Sequence, residues 1–408
     1  MQNRILIIGP ISDTLGGTGV AGVARHIEGL AQNLQTEGQK ITIWYHKQNK
    51  SLHTDEGIKI IGDTYLQKGI KIIKGIVYLL YKQNNFIKEY PIARKLTIAY
   101  QYIALQKVLK KNDFTIIHIH SLNSYIGNTL QLLKREGFKL PKIIYTDHGF
   151  WQNPHLRNCK NNVYYKNIKY NTESADAVIY ISEYAKQQLV EYCFWNKRFK
   201  KIPNPVLTKN PKNGEEYNTP QNIKTFLDDN PNKKMIFFNG YTESIERKKL
   251  DILLTAIESN SDLQKNVILI AICNNKGTNY IKKNHWSFPI LALEKQPFNV
   301  IRAIYNECYC LVNPSLSESF GLVYIEALQH GKPIIGFKRV INEFKTNFGM
   351  DIGYGFTHSG DVQKDKEKLA SLIVKLLSNN YSSQSIISKA RNLSWDRQIF
   401  NFLELYKS

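Results

Sequence analysis

Apolar residues recur along the chain in two spacings. The segment Arg4 to Gly9 holds an unbroken run, Ile5-Leu6-Ile7-Ile8, the pattern of a short strand buried on both faces. A glycine-rich turn, Gly16-Gly17-Thr18-Gly19, follows. Positions 20, 23, 24, 27, 30, 31 and 34 are then apolar between Val20 and Gln35, which predicts a helix. Gly38 ends it. Ile41 to Tyr45, Thr115 to Ile119, Lys142 to Thr146 and Ala177 to Ile181 predict further strands. Strands separated by helices make βαβ units and a parallel sheet.

The pattern lapses over Leu207 to Asn232, rich in Asn, Pro, Lys and Asp, which reads as a linker into a second domain. Alternation then restarts. Strands are expected at Met235 to Asn239, Val267 to Cys273, Cys308 to Asn313 and Pro333 to Phe337. Helices are expected at Leu250 to Ser259, Gly321 to Gly331, Asp365 to Leu377 and Ser394 to Tyr406, the last with Ser394 as its N-cap. The two halves look like two copies of one architecture, residues 1–205 and 206–390, with 391–408 left as a final helix.

Length agrees with that division, since 408 residues are too many for one ordinary core and suit two. The longest apolar runs are strand-length, far below the ~20 residues of a membrane span. The N-terminus opens as a buried strand and lacks the pattern of a signal peptide. Five cysteines, Cys159, Cys193, Cys273, Cys308 and Cys310, include no Cys-x-x-Cys pair. They suit a reduced cytosolic protein and neither a disulfide framework nor a zinc site. Cys308 and Cys310 are expected to share one face of a strand. The formal charge of +21 implies attraction to polyanions such as anionic lipid, phosphate-rich molecules or nucleic acid.

The strongest chemical signal is Asn313-Pro314-Ser315-Leu316-Ser317-Glu318-Ser319-Phe320-Gly321-Leu322-Val323-Tyr324-Ile325-Glu326-Ala327, followed by Gly331-Lys332-Pro333. A strand ends at Asn313, a polar loop carries Glu318, glycine opens a helix, and Glu326 sits eight residues on. Free amides at such a helix start can bind an anion such as a pyrophosphate. The site would lie at the carboxyl end of a parallel strand, where open α/β sheets place ligands. A carboxylate inside the helix can accept both hydroxyls of a ribose, and one in the loop can reach a sugar hydroxyl. Either glutamate alone also suits an ordinary helix acid favoured by the dipole. The whole string does not.

This string resembles the E-x7-E segment of family 4 of the retaining glycosyltransferases. The resemblance extends over nearly the full chain in the expected order. It implies a GT-B fold: two Rossmann-like domains facing across a cleft, the first holding the acceptor, the second the nucleotide-sugar donor, and the final helix crossing back to brace the first. It implies that Glu326 holds the donor ribose and that Glu318 lies near the donor sugar. The backbone of Phe320, Gly321 and Leu322 would then reach phosphate and sugar.

Three further segments extend the likeness. Gly240-Tyr241-Thr242-Glu243-Ser244-Ile245-Glu246-Arg247-Lys248-Lys249 is similar to the family's diphosphate-binding glycine-arginine and lysine element. Lys248 matches the lysine. Tyr241 stands where the arginine is expected, and Arg247 is the candidate replacement. Adjacent cations at a helix start oppose the helix dipole, a repulsion that a bound phosphate would relieve. Gly16 and Gly17 match a double glycine that approaches the donor phosphate, though glycine also simply permits a tight turn. His148, in Tyr145-Thr146-Asp147-His148-Gly149-Phe150, stands where related enzymes keep a histidine beside the transferred sugar. His118 and His120 read as packing or cleft-lining residues. Tyr180-Ile181-Ser182-Glu183-Tyr184-Ala185-Lys186 and Lys201-Ile202-Pro203-Asn204-Pro205 also match, the latter with Asn-Pro where the family has Asn-Gly.

The expectation is thus a retaining hexosyltransferase using a nucleotide sugar, UDP-sugar before GDP-sugar. No Asp-x-Asp or His-Asp cluster reads as a metal site, so no metal and no cofactor beyond the donor substrate is expected. The acceptor is expected to be a cell-envelope glycan, lipid-linked or phosphate-rich. Tyr65 to Lys111 mixes Lys and Arg with Ile, Leu and Tyr. Such helices can lie on an anionic membrane or pack on the sheet with a basic outer face. The location would be cytoplasmic, or peripheral at the inner face of the cell membrane. Two rivals stay open: a catalytically silent GT-B binding partner, favoured by Tyr241, and a nucleotide-sugar epimerase of the same fold. No nucleic-acid motif or stacking platform appears.

Overall fold

The computed structural model describes residues 2–19, 22–81, 91–120, 125–149, 163–191, 198–206, 219–349 and 351–407. The chain divides into two compact units, Met1–Pro205 with Gln398–Ser408, and Val206–Arg397.

The first unit is built on strands β1 (Arg4–Ile8), β2 (Lys40–Trp44), β3 (Leu52–His53), β4 (Lys59–Ile61), β5 (Ile116–Ile119), β6 (Lys142–Asp147), β7 (Ala177–Tyr180) and β8 (Phe199–Lys201). They lie in the order β3-β4-β2-β1-β5-β6-β7-β8. Every neighbouring pair is parallel except β3 with β4. Ile5 to Ile8 are fully buried because β1 has a strand on either side and side chains packed on both faces, which is why it reads as continuously apolar rather than alternating. The helix Gly22–Thr36 buries Ile27, Leu30, Ala31 and Leu34, as its spacing requires. Val20 and Ala21, the expected start of that helix, lie outside the described residues.

The helix Ile92–Lys111 sends Ile98, Tyr102 and Leu105 into the core beside Trp44 and Ile117. The helix Tyr65–Tyr81 lies against it. At Gly75 a Cβ would meet the Ala99 carbonyl oxygen at 2.3 Å, so glycine is what permits the two helices to approach there. Ile72, Ile76 and Leu79 pack inward. Leu66, Ile70, Ile73, Val77 and Leu80, spaced three and four apart, remain exposed. That is a second apolar stripe on one helix, and sequence patterning alone could not say which of the two faced the sheet. Lys82 and the rest of 82–90 lie outside the described residues. No described helix is long and apolar enough to cross a membrane.

Within the closing helix Trp395–Lys407, the residues from Gln398 onward belong to the first unit. Phe402 is fully buried. Tyr406 Oη lies 2.7 Å from Nδ1 of His118 on β5, and Lys142 Nζ donates to the Leu405 carbonyl at 2.5 Å.

The second unit is a six-stranded, all-parallel sheet. Its strands are β9 (Lys234–Asn239), β10 (Val267–Ile272), β11 (Ile290–Leu293), β12 (Cys310–Val312), β13 (Ile334–Phe337) and β14 (Gly353–Phe356), in the order β11-β10-β9-β12-β13-β14. The connections leave β9 in one direction as far as β11 and then in the other from β12 onward. The reversal falls between β9 and β12, the switch point where such sheets bind ligands.

Two expectations need correction, and five short strands were not expected. Residues 219–232 of the expected linker include a helix, Gln221–Asp228, that buries Ile223; residues 207–218 lie outside the described residues. Cys308 ends the helix Phe298–Glu307 and is not in β12, which begins at Cys310. Strands β3, β4, β8, β11 and β14 are two to four residues long, too short to show a period. Cys159 and Cys193 lie outside the described residues.

Tyr406→Phe should leave Nδ1 of the fully buried His118 without its partner, at a cost of about 1–3 kcal/mol. Thermal unfolding should show the first unit's midpoint falling. An unchanged midpoint would mean that the closing helix does not depend on this hydrogen bond.

Candidate functional site

The switch point is pinned by two asparagines. Asn313 Oδ1 accepts the Asn239 amide at 3.0 Å, and Asn313 Nδ2 donates to the Asn239 carbonyl at 2.8 Å. This pairing fixes the strand ends from which two loops spring, 240–249 and 314–321. Gly240 continues the ladder through its amide to the Ile272 carbonyl, and a Cβ there would strike the Phe238 ring at 2.5 Å.

Loop 240–249 is folded on itself. Ser244 Oγ donates to the Gly240 carbonyl at 2.6 Å, and the Glu243 carbonyl accepts the amides of Arg247 and Lys248. Glu243 and Lys249 both hold left-handed backbone (φ 55° and 59°). That is a rare conformation for side-chain-bearing residues, held at a cost of about 1–2 kcal/mol each. The Leu316 amide donates to the Arg247 carbonyl at 2.8 Å and so ties this loop to its neighbour.

The loops bring three charged groups together. Lys248 Nζ is hydrogen-bonded to Glu318 Oε1, Arg247 Nη1 lies 3.3 Å from the same oxygen, and Ser315 Oγ donates to it at 2.9 Å. Lys248 and Glu318 are buried. Burial would raise the Glu318 carboxyl, but Lys248 and Arg247 outweigh it and hold it below the usual carboxylate range. Burial also lowers the Lys248 ammonium; Glu318 opposes that shift and Arg247 adds to it, leaving it below its ordinary value. Both directions follow from two cations sharing one anion in a low-dielectric place. Arg247 is also paired at 2.7 Å with Glu243, an exposed acid. Glu243 is thus the solvent-facing partner of Arg247, and Glu318 the buried one.

At the start of the helix Leu322–Gln329, Gly321 is left-handed (φ 70°) and a Cβ there would meet the Tyr324 ring at 2.3 Å. Tyr324 Oη lies 3.0 Å from the Asn313 carbonyl and accepts the Phe337 amide, so this ring ties the helix start to the strand ends. Phe320 is buried, and Leu322 is half-buried. Glu326 is half-buried, with Oε2 3.2 Å from Tyr305 Oη; the same hydroxyl accepts from Asn239 Nδ2 at 3.2 Å. The charge and the hydroxyl hold each other in place, and burial followed by Glu326 drives the Tyr305 phenol up.

Arg247, Lys248, Glu318, Gly240, Phe320, Gly321, Leu322 and Glu326 therefore sit around the ends of β9 and β12. Tyr241, in the expected arginine's place, is more than one-third exposed. Tyr305, Ser315 and Glu243 escaped the sequence reading. Tyr305 reads as a core aromatic of its helix, and only the fold shows its hydroxyl meeting Glu326.

Gly16, Gly17 and His148 lie in the first unit. Gly16 is left-handed, and a Cβ on Gly17 would meet the Ile11 carbonyl oxygen at 2.2 Å. The Gly16, Gly17 and Gly19 amides are spent on Asp13, Ser12 and Ile11, so here the glycines shape the turn. His148 follows β6 and is half-buried, and burial lowers its imidazole to about 3. Its Nε2 is 3.1 Å from Nδ1 of His120. His26, missed in the sequence, completes the group, its ring centroid 4.9 Å from that of His148. The signal for it was a polar residue on the buried face of an amphipathic helix.

Comparison with known proteins agrees with this architecture. The Glycosyltransferase Family 4 profile matches residues 20–210, and the Glycosyl transferases group 1 profile matches residues 233–379. The chain belongs to this glycosyltransferase family, with the GT-B fold. It is 23% identical over 395 residues to an uncharacterized glycosyltransferase of Methanocaldococcus jannaschii, covering 95% of each chain. It is 26% identical over 245 residues to an uncharacterized 41.2 kDa protein in the cps region of Klebsiella pneumoniae, covering 57% of this chain and 63% of that one. Among solved structures, it resembles a sucrose-phosphate synthase from Thermosynechococcus elongatus (TM-score 0.73, 15% identity, 100% of this chain and 98% of that one). It also resembles a UDP-forming α,α-trehalose-phosphate synthase from Burkholderia xenovorans in complex with glucose-6-phosphate (TM-score 0.68, 12% identity, 99% and 100%).

Glu318→Gln should cost about 3 kcal/mol at neutral pH, because the buried Lys248 loses its counter-charge and the half-buried Arg247 keeps only Glu243. A depressed carboxyl stabilises the fold fully above its unfolded value near ~4.3 and loses that contribution as pH falls through the folded value. The gap between wild type and variant in urea unfolding should therefore narrow below pH ~4. A gap that holds constant there would contradict the pairing.

Proposed function

We propose that the chain is a retaining hexosyltransferase that moves a sugar from a nucleotide sugar, UDP-sugar before GDP-sugar, to a phosphate-rich or lipid-linked glycan of the cell envelope. The observation that carries this reading is the gathering of Arg247, Lys248 and Glu318 at the switch point of the second unit. Two cations beside the free amides at the start of Leu322–Gln329 suit a diphosphate. Glu326 suits the ribose hydroxyls, and Glu318 a hydroxyl of the sugar.

As the glycosidic bond to phosphate breaks, negative charge grows on the departing diphosphate. Lys248 and Arg247 would stabilise it through preorganised charge, with no metal needed at the donor. The leaving phosphate would take the acceptor's proton in a front-face attack that retains configuration. His148 would line the sugar's side of the reaction. UDP is favoured because one structural neighbour is described as UDP-forming, and a phosphate-bearing acceptor because its complex holds glucose-6-phosphate. The exposed stripe Leu66, Ile70, Ile73, Val77 and Leu80, close in sequence to Lys68 and Lys74, suits peripheral attachment to an anionic membrane at the cytoplasmic face.

UDP, GDP, ADP and CMP should be compared by thermal shift, with and without EDTA. A diphosphate at ~100 times its dissociation constant adds about 2.7 kcal/mol. One nucleoside diphosphate should stabilise the wild type, spare no stabilisation for Glu326→Ala, and act equally in EDTA. A folded protein that responds to none of them would sink the donor assignment.

Vesicle flotation tests the stripe. Ile73→Asp with Val77→Asp should abolish binding to phosphatidylserine vesicles while leaving nucleotide stabilisation intact. Equal loss of both would show a folding defect, and retained flotation would remove the stripe as the attachment surface.

A further inference from the structure

Among the described residues, one group of metal-ligating side chains stands together: His26 from the helix Gly22–Thr36, His120 just after β5, and His148 just after β6. Each can offer one ring nitrogen such that all three atoms lie within 4.8 Å of one another. Three elements far apart in sequence converge on this point, at the carboxyl ends of neighbouring strands. His118, whose ring centroid is 4.0 Å from that of His120, is excluded from the group by its own bonds. Its two nitrogens are taken by Tyr406 and Thr146, each at 2.7 Å. Nε2 of the buried His120, by contrast, has no hydrogen-bond partner among the described residues. A buried ring nitrogen left that way is costly and calls for an explanation.

We propose that His26, His120 and His148 form a binding site for a single divalent transition-metal ion of the zinc type. Three imidazoles suit Zn²⁺, and with three protein ligands a fourth position stays open to water or another small ligand. Zn–N distances of about 2.0–2.1 Å in a tetrahedral set place ligand nitrogens roughly 3.3 Å apart, so modest ring rotations from the present spacing suffice. The fold also supplies the neutral imidazoles that a metal requires, since burial depresses all three. The site goes beyond the donor chemistry proposed above: its ligands are all in the first unit, while the diphosphate-binding residues are in the second. An ion here would hold His148, so it should lower transfer activity without affecting nucleotide binding.

The test is equilibrium dialysis of the untagged, chelator-treated chain against Zn²⁺, with metal counted by atomic emission, and Co²⁺ as an optical probe. We expect one Zn²⁺ per chain, and a visible Co²⁺ band of four-coordinate intensity. His120→Ala and, separately, His26→Asn should each weaken binding at least tenfold and abolish the Co²⁺ band, while His285→Ala changes neither. UDP stabilisation should be the same with and without Zn²⁺, which keeps this result independent of the donor assignment. Wild-type protein that binds no Zn²⁺, or binding that survives in whichever of the two variants folds, overturns the proposal. Zinc held through cysteine would appear as that second outcome.

Discussion

The second unit depends on the burial of one carboxylate. Glu318 sits where water cannot solvate its charge, and an isolated ion there would cost several kcal/mol. The charge is tolerable only because Arg247 and Lys248 arrive beside it from a loop some seventy residues earlier in the chain. Their arrival depends in turn on β9 and β12 ending side by side, which the reciprocal Asn239–Asn313 bonds enforce. The Leu316 amide on the Arg247 carbonyl then locks one loop to the other. Parallel strand order, loop register and charge pairing are a single constraint: a slip in any of them strands a buried ion.

The corresponding place in the first unit is resolved in the opposite way. There too the strand order reverses, between β1 and β5, and there too polar side chains, His120 and His148, follow the strand ends. The groups are imidazoles that burial keeps neutral, so no counter-charge is needed. A charged site suits a ligand that brings charge, such as a diphosphate. A neutral, ring-lined site suits a sugar face or a metal ion, which need lone pairs and a shaped surface.

What could be read from the sequence was whatever one local segment encodes. The runs Ile5-Leu6-Ile7-Ile8 and Val267 to Ile272 announce buried strands because burial on both faces demands apolar residues at every position. The string from Asn313 to Ala327 was legible because strand end, loop, glycine and helix follow one another directly. The rest needed elements that meet only in space. Tyr305 reaches Glu326 across twenty-one residues, and His26 meets His148 across 122 residues of chain. Short strands such as β3 and β11 owe their existence to a neighbour's edge rather than to any period of their own. The glycines of 16–17 mark a place where backbone approaches something closely, and only the fold shows what: a Cβ on Gly16 would meet Leu52, and one on Gly17 would meet Ile11 of the same turn.

Tyr241 is the residue that favours a silent protein, and Arg247 is the candidate replacement for the arginine expected there. A guanidinium at that position would come from the second residue of the loop. Here one comes from near the loop's last turn, at Arg247, and still lies within 3.3 Å of the carboxylate it must accompany. What changes is the partner on its other side. Glu243, on strained backbone and exposed to solvent, occupies Arg247 Nε at 2.7 Å. An exposed ion pair is worth at most about 1 kcal/mol, so an anion with two or more charges can replace it readily. In this structure Glu243 holds the guanidinium from its solvent side while Glu318 holds it from the buried side.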